Sequence, residues 1–278
     1  MYNPTLSGKE FSRKISVLGI RKANDQLWQL FVLGILAGLY IGFGGQICLV
    51  ALEQGLGRIV AGAVFSIGLV LVVIAGAELF TGNIIMAVGV VTRQFPFMRV
   101  LRNWLTVYLG NFLGAFALAL AIWGAGLYGA AGQLNPLGQL AVKVAESKLA
   151  LGFGECVLRG LLCNMLVLLA IIMATMAKDI ISKIVCCILP ITVFVACGFE
   201  HCVANMFLIP AGLLAKGLPL AEQAVLFKNL LPVTLGNLIG GLLILFLHPN
   251  RIRQLRYLLQ TPPNSATPQA EAGGIGNQ

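Results

Sequence analysis

Two stretches of this sequence place ionisable side chains where chemistry on a small polar solute could occur. Gly198-Phe199-Glu200-His201-Cys202-Val203-Ala204-Asn205 sets a carboxylate beside an imidazole. An imidazole can donate a hydrogen bond to an anion, or pass it a proton. Gly76-Ala77-Glu78-Leu79-Phe80-Thr81-Gly82-Asn83 has the same Gly-x-Glu-x-x-x-x-Asn spacing 122 residues earlier. There Thr81 offers a hydroxyl that donates or accepts. Both stretches interrupt strongly apolar runs, and an ionisable group inside such a run marks a functional site by default. The alternative is that Gly and Pro190 merely kink packed helices, but a kink by itself needs no ionisable residue.

Other polar groups within the apolar runs admit two readings each. Asn164 and Asn237 carry amides that need partners in hydrocarbon, so they either brace the interrupted segments or line a pore. Glu155 and Arg159 are spaced to pair along one helix face, as a structural or subunit contact. Lys148, at the end of an apolar run, reads by itself as an interfacial lysine with its stem in hydrocarbon. The seven cysteines lack the paired spacing of a zinc site. With no phosphate-cradling loop and no nucleophile-base-acid set, the sequence predicts neither an enzyme nor a cofactor or metal.

The composition sets the frame that must hold these residues. Of 278 residues, 58% are hydrophobic and 10% charged, with a mean hydropathy of +0.91. That excludes a soluble globule. The net charge of +9 sits at the ends of apolar runs, with no basic stripe for nucleic acid. Apolar runs near 27–52, 59–91, 104–127, 149–176, 184–212 and 225–248 predict six spans. Asn24-Asp25 is expected to cap the first. Residues 1–26 are expected to form a cytoplasmic amphipathic segment with Phe11, Ile15 and Leu18 on one face, lying on the membrane surface. Residues 27–248 form the transmembrane domain, and 249–278 a disordered cytoplasmic tail. One set of alternate loops carries thirteen Lys and Arg and the other five, which puts both termini in the cytoplasm of a multi-pass inner-membrane protein.

A second repeat supports this arrangement: Leu109-Gly110-Asn111-Phe112-Leu113-Gly114 returns as Leu235-Gly236-Asn237-Leu238-Ile239-Gly240, 126 residues on. A unit of three spans is odd-numbered, so the second copy enters the membrane from the opposite side. The expected fold is an all-α membrane protein of six transmembrane helices in two inverted three-helix repeats. The second and fifth helices are broken into 59–76 with 84–91, and 184–198 with 203–212. The two breaks should meet near mid-membrane and line a path, because non-helical backbone there must be buried in protein or face a wet cavity.

Ala77-Glu78-Leu79-Phe80-Thr81-Gly82-Asn83, Asn164, Gly198-Phe199-Glu200-His201-Cys202-Val203-Ala204-Asn205-Met206-Phe207 and Leu235-Gly236-Asn237 resemble the formate/nitrite transporter family, over about residues 10–248. The resemblance implies an aquaporin-like fold, a homopentamer with one pore per protomer, and passage of small monovalent anions of weak acids. The formate branch is the nearest, with nitrite and hydrosulfide as alternatives and protons as possible co-substrates. It implies that His201 is the central pore histidine and Thr81 its facing threonine. Lys148 becomes an electropositive vestibule lysine in place of an interfacial one. Phe65, Leu69, Leu79, Phe80 and Phe194 would form apolar constrictions, and Glu200, Asn164 and Asn237 the histidine's hydrogen-bonded surroundings. Residues 77–92 would be a loop able to rearrange in gating. A neutral-solute channel of the aquaporin kind would be expected to carry Asn-Pro-Ala, yet neither Asn83 nor Asn205 precedes a proline. A membrane scaffold whose polar residues only specify packing is the other rival.

Overall fold

The computed structural model describes residues 7–130 and 133–247. The expected tail, Arg251, Arg253, Arg256 and His248 lie outside them.

The chain begins with α1 (Gly8–Asn24), started by a reciprocal cap: the Ser7 hydroxyl accepts from the Glu10 N–H, and the Glu10 carboxylate from the Ser7 N–H. These bonds hold the Glu10 carboxyl below the usual range. Asn24 and Asp25 end α1 and do not cap the next helix, whose N-cap is Gln26 without a side-chain bond. The reason is that α1 itself uses Asn24 as its last residue. Phe11 and Ile15 pack against Ile85, Val88, Leu168, Ile172 and Leu245. The apolar face of α1 therefore turns into the protein.

α2 (Leu27–Glu53) packs along α7 (Phe97–Gly124), and α9 (Phe153–Met176) along α12 (Phe227–Leu247). Small residues set both crossings. A methyl on Gly110 would sit 2.6 Å from the Phe31 carbonyl oxygen, and one on Gly160 2.7 Å from that of Val233. Gly114 and Gly240 face the Ile35 and Leu161 carbonyls just as closely.

Among the described residues, five helices are long and apolar enough to cross a membrane: Leu27–Glu53, Gly57–Ala75, Phe97–Gly124, Phe153–Met176 and Leu220–Leu247. The run over 184–212 is broken, as expected, and no single helix covers it. That stretch is divided between α10 (Ile180–Ala196) and α11 (Cys202–Ala215), with Gly198 at φ +73° in the bend between them. Every residue of α11 is buried, which is why it is apolar on all sides.

The earlier run divides in the same way. α3 (Gly57–Phe65) and α4 (Ile67–Ala75) end at Gly76, a left-handed cap with φ +83°. The chain resumes at α5 (Phe80–Asn83), a 3-10 turn (Ile84–Met86) and α6 (Ala87–Val91). The second piece thus starts at 80 and not 84.

A further helix was not expected. β1 (Gly129–Ala130) pairs with β2 (Gln133–Leu134), and α8 (Pro136–Leu149) follows, capped by Asn135 with proline in its first turn. Lys148 lies in the last turn of α8. It is therefore not part of the helix that carries Asn164, which begins at Phe153.

Candidate functional site

Each break strands backbone groups that one asparagine recovers. At the second break the Asn237 Oδ1 accepts from the Cys202 N–H at 2.9 Å, while its Nδ2 donates to the carbonyls of Gly160 at 2.7 Å and Glu200 at 2.9 Å. At the first, the Asn111 Oδ1 accepts from the Phe80 N–H at 2.9 Å, and its Nδ2 donates to Gly34 and Glu78. Both amides are fully buried. Asn237→Ala and Asn111→Ala are each expected to destabilise the fold by about 3 kcal/mol or more, since three buried groups lose their partner at once. Thermal unfolding of the purified protein measures this, and a loss below roughly 1 kcal/mol would show that water replaces the amide freely.

The carboxylates are held by a second matching network. Glu200 accepts from the Lys148 Nζ at 2.8 Å and from the Asn205 Nδ2 at 2.6 Å. Asn205 Nδ2 also donates to Asn229 Oδ1, and Asn229 Nδ2 returns to the Lys148 carbonyl. Glu78 accepts from Lys22 Nζ at 2.5 Å and from Asn83 Nδ2 at 2.7 Å. Asn83 bonds Asn103, which returns to the Lys22 carbonyl. Burial pulls the Lys22 ammonium below the ordinary lysine pKa, and the Glu78 carboxylate pulls it back up. Lys22, Asn83, Asn103 and Asn229 were missed as site residues. The signal was present, because 126 residues separate Lys22 from Lys148 and Asn103 from Asn229, as they do Asn111 from Asn237.

Two cavities flank these networks. One, of about 630 Å³, is lined by Cys48, Arg58, Phe65, Lys148, Arg159, Phe194, Glu200 and His201 among others. The other, of about 170 Å³, is lined by Leu18, Arg21, Lys22, Gly76, Glu78, Leu79 and Asn83 among others. His201 and Thr81 meet in the buried layer, with the Thr81 Oγ1 2.9 Å from the His201 Nε2. His201 also caps α11, its Nδ1 accepting from the Ala204 N–H at 3.1 Å. That bond fixes the tautomer: the ring proton is on Nε2 and points at Thr81. The Phe194 ring lies 5.9 Å from the imidazole and meets Phe65 edge-on at 5.6 Å.

The remaining expected residues are distributed around this layer. Leu79 lines the smaller cavity. Phe80 packs edge-on against Trp104 and Tyr108 and, like Leu69, lines neither cavity. Asn164 donates to the Asn237 carbonyl at 2.7 Å, and its buried Oδ1 has no partner among the described residues. Among the described residues the imidazole bonds Thr81 and Ala204, not Glu200, Asn164 or Asn237. Those three hold the bend from which the ring projects. Glu155 and Arg159 do pair, at 3.5 Å, on a half-exposed helix face.

The formate/nitrite transporter family model matches residues 9–249. The chain belongs to that family. A probable formate transporter of Methanothermobacter thermautotrophicus is 38% identical over 255 residues, covering 84% of this chain and 92% of its own. The formate channel FocA of Haemophilus influenzae is 37% identical, over 79% and 85% of the two chains. A solved pentameric formate channel with formate bound superposes with a TM-score of 0.69 at 33% identity, covering 84% of this chain and 98% of that one. Family membership makes this a multi-pass membrane transport protein and accounts for its apolar helices.

Proposed function

We propose that the protein is a channel for small monovalent anions of weak acids, formate foremost, with nitrite and hydrosulfide as further solutes. It acts as a homopentamer in the cytoplasmic membrane, each protomer spanning the bilayer six times as two inverted three-helix repeats with both termini inside. The observation that carries the reading is the buried His201–Thr81 pair: His201 lines the larger cavity, Leu79 and Gly82 beside Thr81 line the smaller one, and each cavity wall holds a lysine.

A small anion that leaves water for an apolar constriction loses its hydration, which is costly for a charged species. Protonation removes most of that cost. Lys148 receives the anion with the ammonium protons that Glu200 leaves free, and loss of water beside Phe65 and Phe194 raises the anion's affinity for a proton from cavity water. The His201 Nε2–H then turns from Thr81 to the solute, and the neutral acid passes. Its Nδ1 is occupied by Ala204 N–H, so the ring serves as a hydrogen-bond donor, and the proton on the acid is a hydronium proton from bulk relayed through cavity water.

Proteoliposomes loaded with the purified protein test this. Formate uptake is expected to exceed glycerol uptake and to rise as the pH falls. Glycerol flux equal to formate flux would make it a neutral-solute channel, and no flux of formate, nitrite or hydrosulfide would leave only the scaffold reading.

A further inference from the structure

Lys148 cannot act as a free charge in the larger cavity. Its Nζ lies 2.8 Å from the Glu200 carboxylate, and the two side chains are 14% and 5% exposed. A buried pair at that distance is close to neutral when viewed from solvent, so it attracts an anion weakly beyond contact range. The same cavity is lined by two more cations, Arg58 and Arg159. Three cations against the single carboxylate of Glu200 leave the lining with an excess of two positive charges.

The two guanidinium groups are available in a way that the ammonium is not. Arg58 stands in the first turn of α3, is exposed, and has no hydrogen bond or ion pair among the described residues. Its Nη1 lies 4.0 Å from where a methyl on Gly198 would be, which sets it over the bend that leads to Glu200 and His201. Among the described residues the Arg159 side chain has only the 3.5 Å contact to Glu155, with both side chains about half exposed. Such a pair is worth about 0–1 kcal/mol and is readily exchanged for another anion. One Glu155 oxygen is already engaged by the Gly152 N–H. The Arg159 carbonyl accepts from the Glu200 N–H at 3.2 Å, so its backbone is fixed to the same bend.

We propose that Arg58 and Arg159 collect the anion at the mouth of this cavity, while Lys148 only receives it at the floor. We further propose that the arginines bias the channel toward planar anions with two oxygens. A guanidinium presents parallel N–H donors that match a carboxylate-like pair of oxygens, as in formate or nitrite, whereas hydrosulfide offers one acceptor atom. This rests on the channel reading above and assigns its mouth.

The test compares the wild type with Arg58→Gln, Arg159→Gln, the double variant, and Arg58→Lys with Arg159→Lys in proteoliposomes. At low formate and low salt, the double Gln variant should lose about tenfold in flux, as expected for removing a steering field. It should also lose most of the wild type's sensitivity to added salt. Hydrosulfide flux should fall less than formate flux. The double Lys variant should regain the salt sensitivity but not the preference for formate over hydrosulfide. Unchanged formate flux and salt dependence in the double Gln variant overturns the proposal, and so does an equal fall for both anions that lysine fully reverses. Should the double variant not assemble, Arg58→Gln alone decides, since that side chain has no partner to lose. A wild type that carries no formate sinks the channel reading itself, an outcome distinct from all of these.

Discussion

His201→Phe is expected to lower formate flux by about five- to 160-fold at every pH, because a lost buried hydrogen bond of about 1–3 kcal/mol corresponds to that factor. Phenylalanine keeps much of the ring's bulk beside Phe194 and Phe65, so the packing of these rings changes little. What disappears is the Nε2–H aimed at Thr81 and the Nδ1 that caps α11. His201→Asn separates those losses, since asparagine is a good N-cap and retains a donor. It should keep most of the stability and a substantial flux. It should also keep the rise in flux at low pH, because the proton is supplied by water and not by the ring. Formate uptake across a pH series for both variants checks this. An Asn variant that conducts with no pH dependence would show that the histidine itself titrates during transport, and a Phe variant with wild-type flux would show that the ring only fills space.

The parts of this site that were legible in the sequence are those where a polar residue interrupts an apolar run. Glu78, Glu200 and His201 stand out because hydrocarbon tolerates few ionisable groups, and the return of Gly-x-Glu-x-x-x-x-Asn at a fixed offset makes chance a poor explanation for the two glutamates. Asn111 and Asn237 were visible as a repeat, but their task was not: which carbonyls they recover depends on Gly34 and Gly160 of a neighbouring helix, and that contact is tertiary. Lys22 was hidden for a different reason. It sits among Arg13, Lys14 and Arg21 and reads as one more charge on a surface helix, whereas the structure buries it against Glu78. The whole of α1 follows that pattern, since an apolar face seeking lipid and one seeking protein share one periodicity. Arg102 settles the matter by donating to the Ala23 and Asp25 carbonyls at the end of α1. α8 escaped because Lys143, Glu146 and Lys148 make its sequence too polar for a span, although Ala141 and Ala145 are fully buried, against Gly212 of α11.

Removing Glu200 should have the largest effect on the fold. Glu200→Ala leaves the largely buried Lys148 ammonium without its carboxylate and the Asn205 amide with Asn229 as its remaining acceptor among the described residues. Breaking one side of such a buried pair costs about 3–5 kcal/mol, enough to lower the unfolding temperature sharply or prevent assembly. The ion pair itself is not the source of that stability. Replacing both partners with neutral side chains of similar shape removes the uncompensated charge, and such replacements are often neutral. Lys148→Met combined with Glu200→Gln is therefore expected to recover most of what Glu200→Ala loses, with glutamine still accepting from Asn205. The double variant then isolates function from folding. Its bend is still held by Asn237, so His201 keeps its place, and anions are still drawn in by Arg58 and Arg159. Formate flux should persist at reduced level, with the deficit largest at low substrate, where the missing ammonium no longer receives the anion. Thermal unfolding gives the first comparison and proteoliposome uptake the second. A double variant no more stable than Glu200→Ala would mean that the charge pair, and not the hydrogen-bond frame around it, holds the two helix ends together.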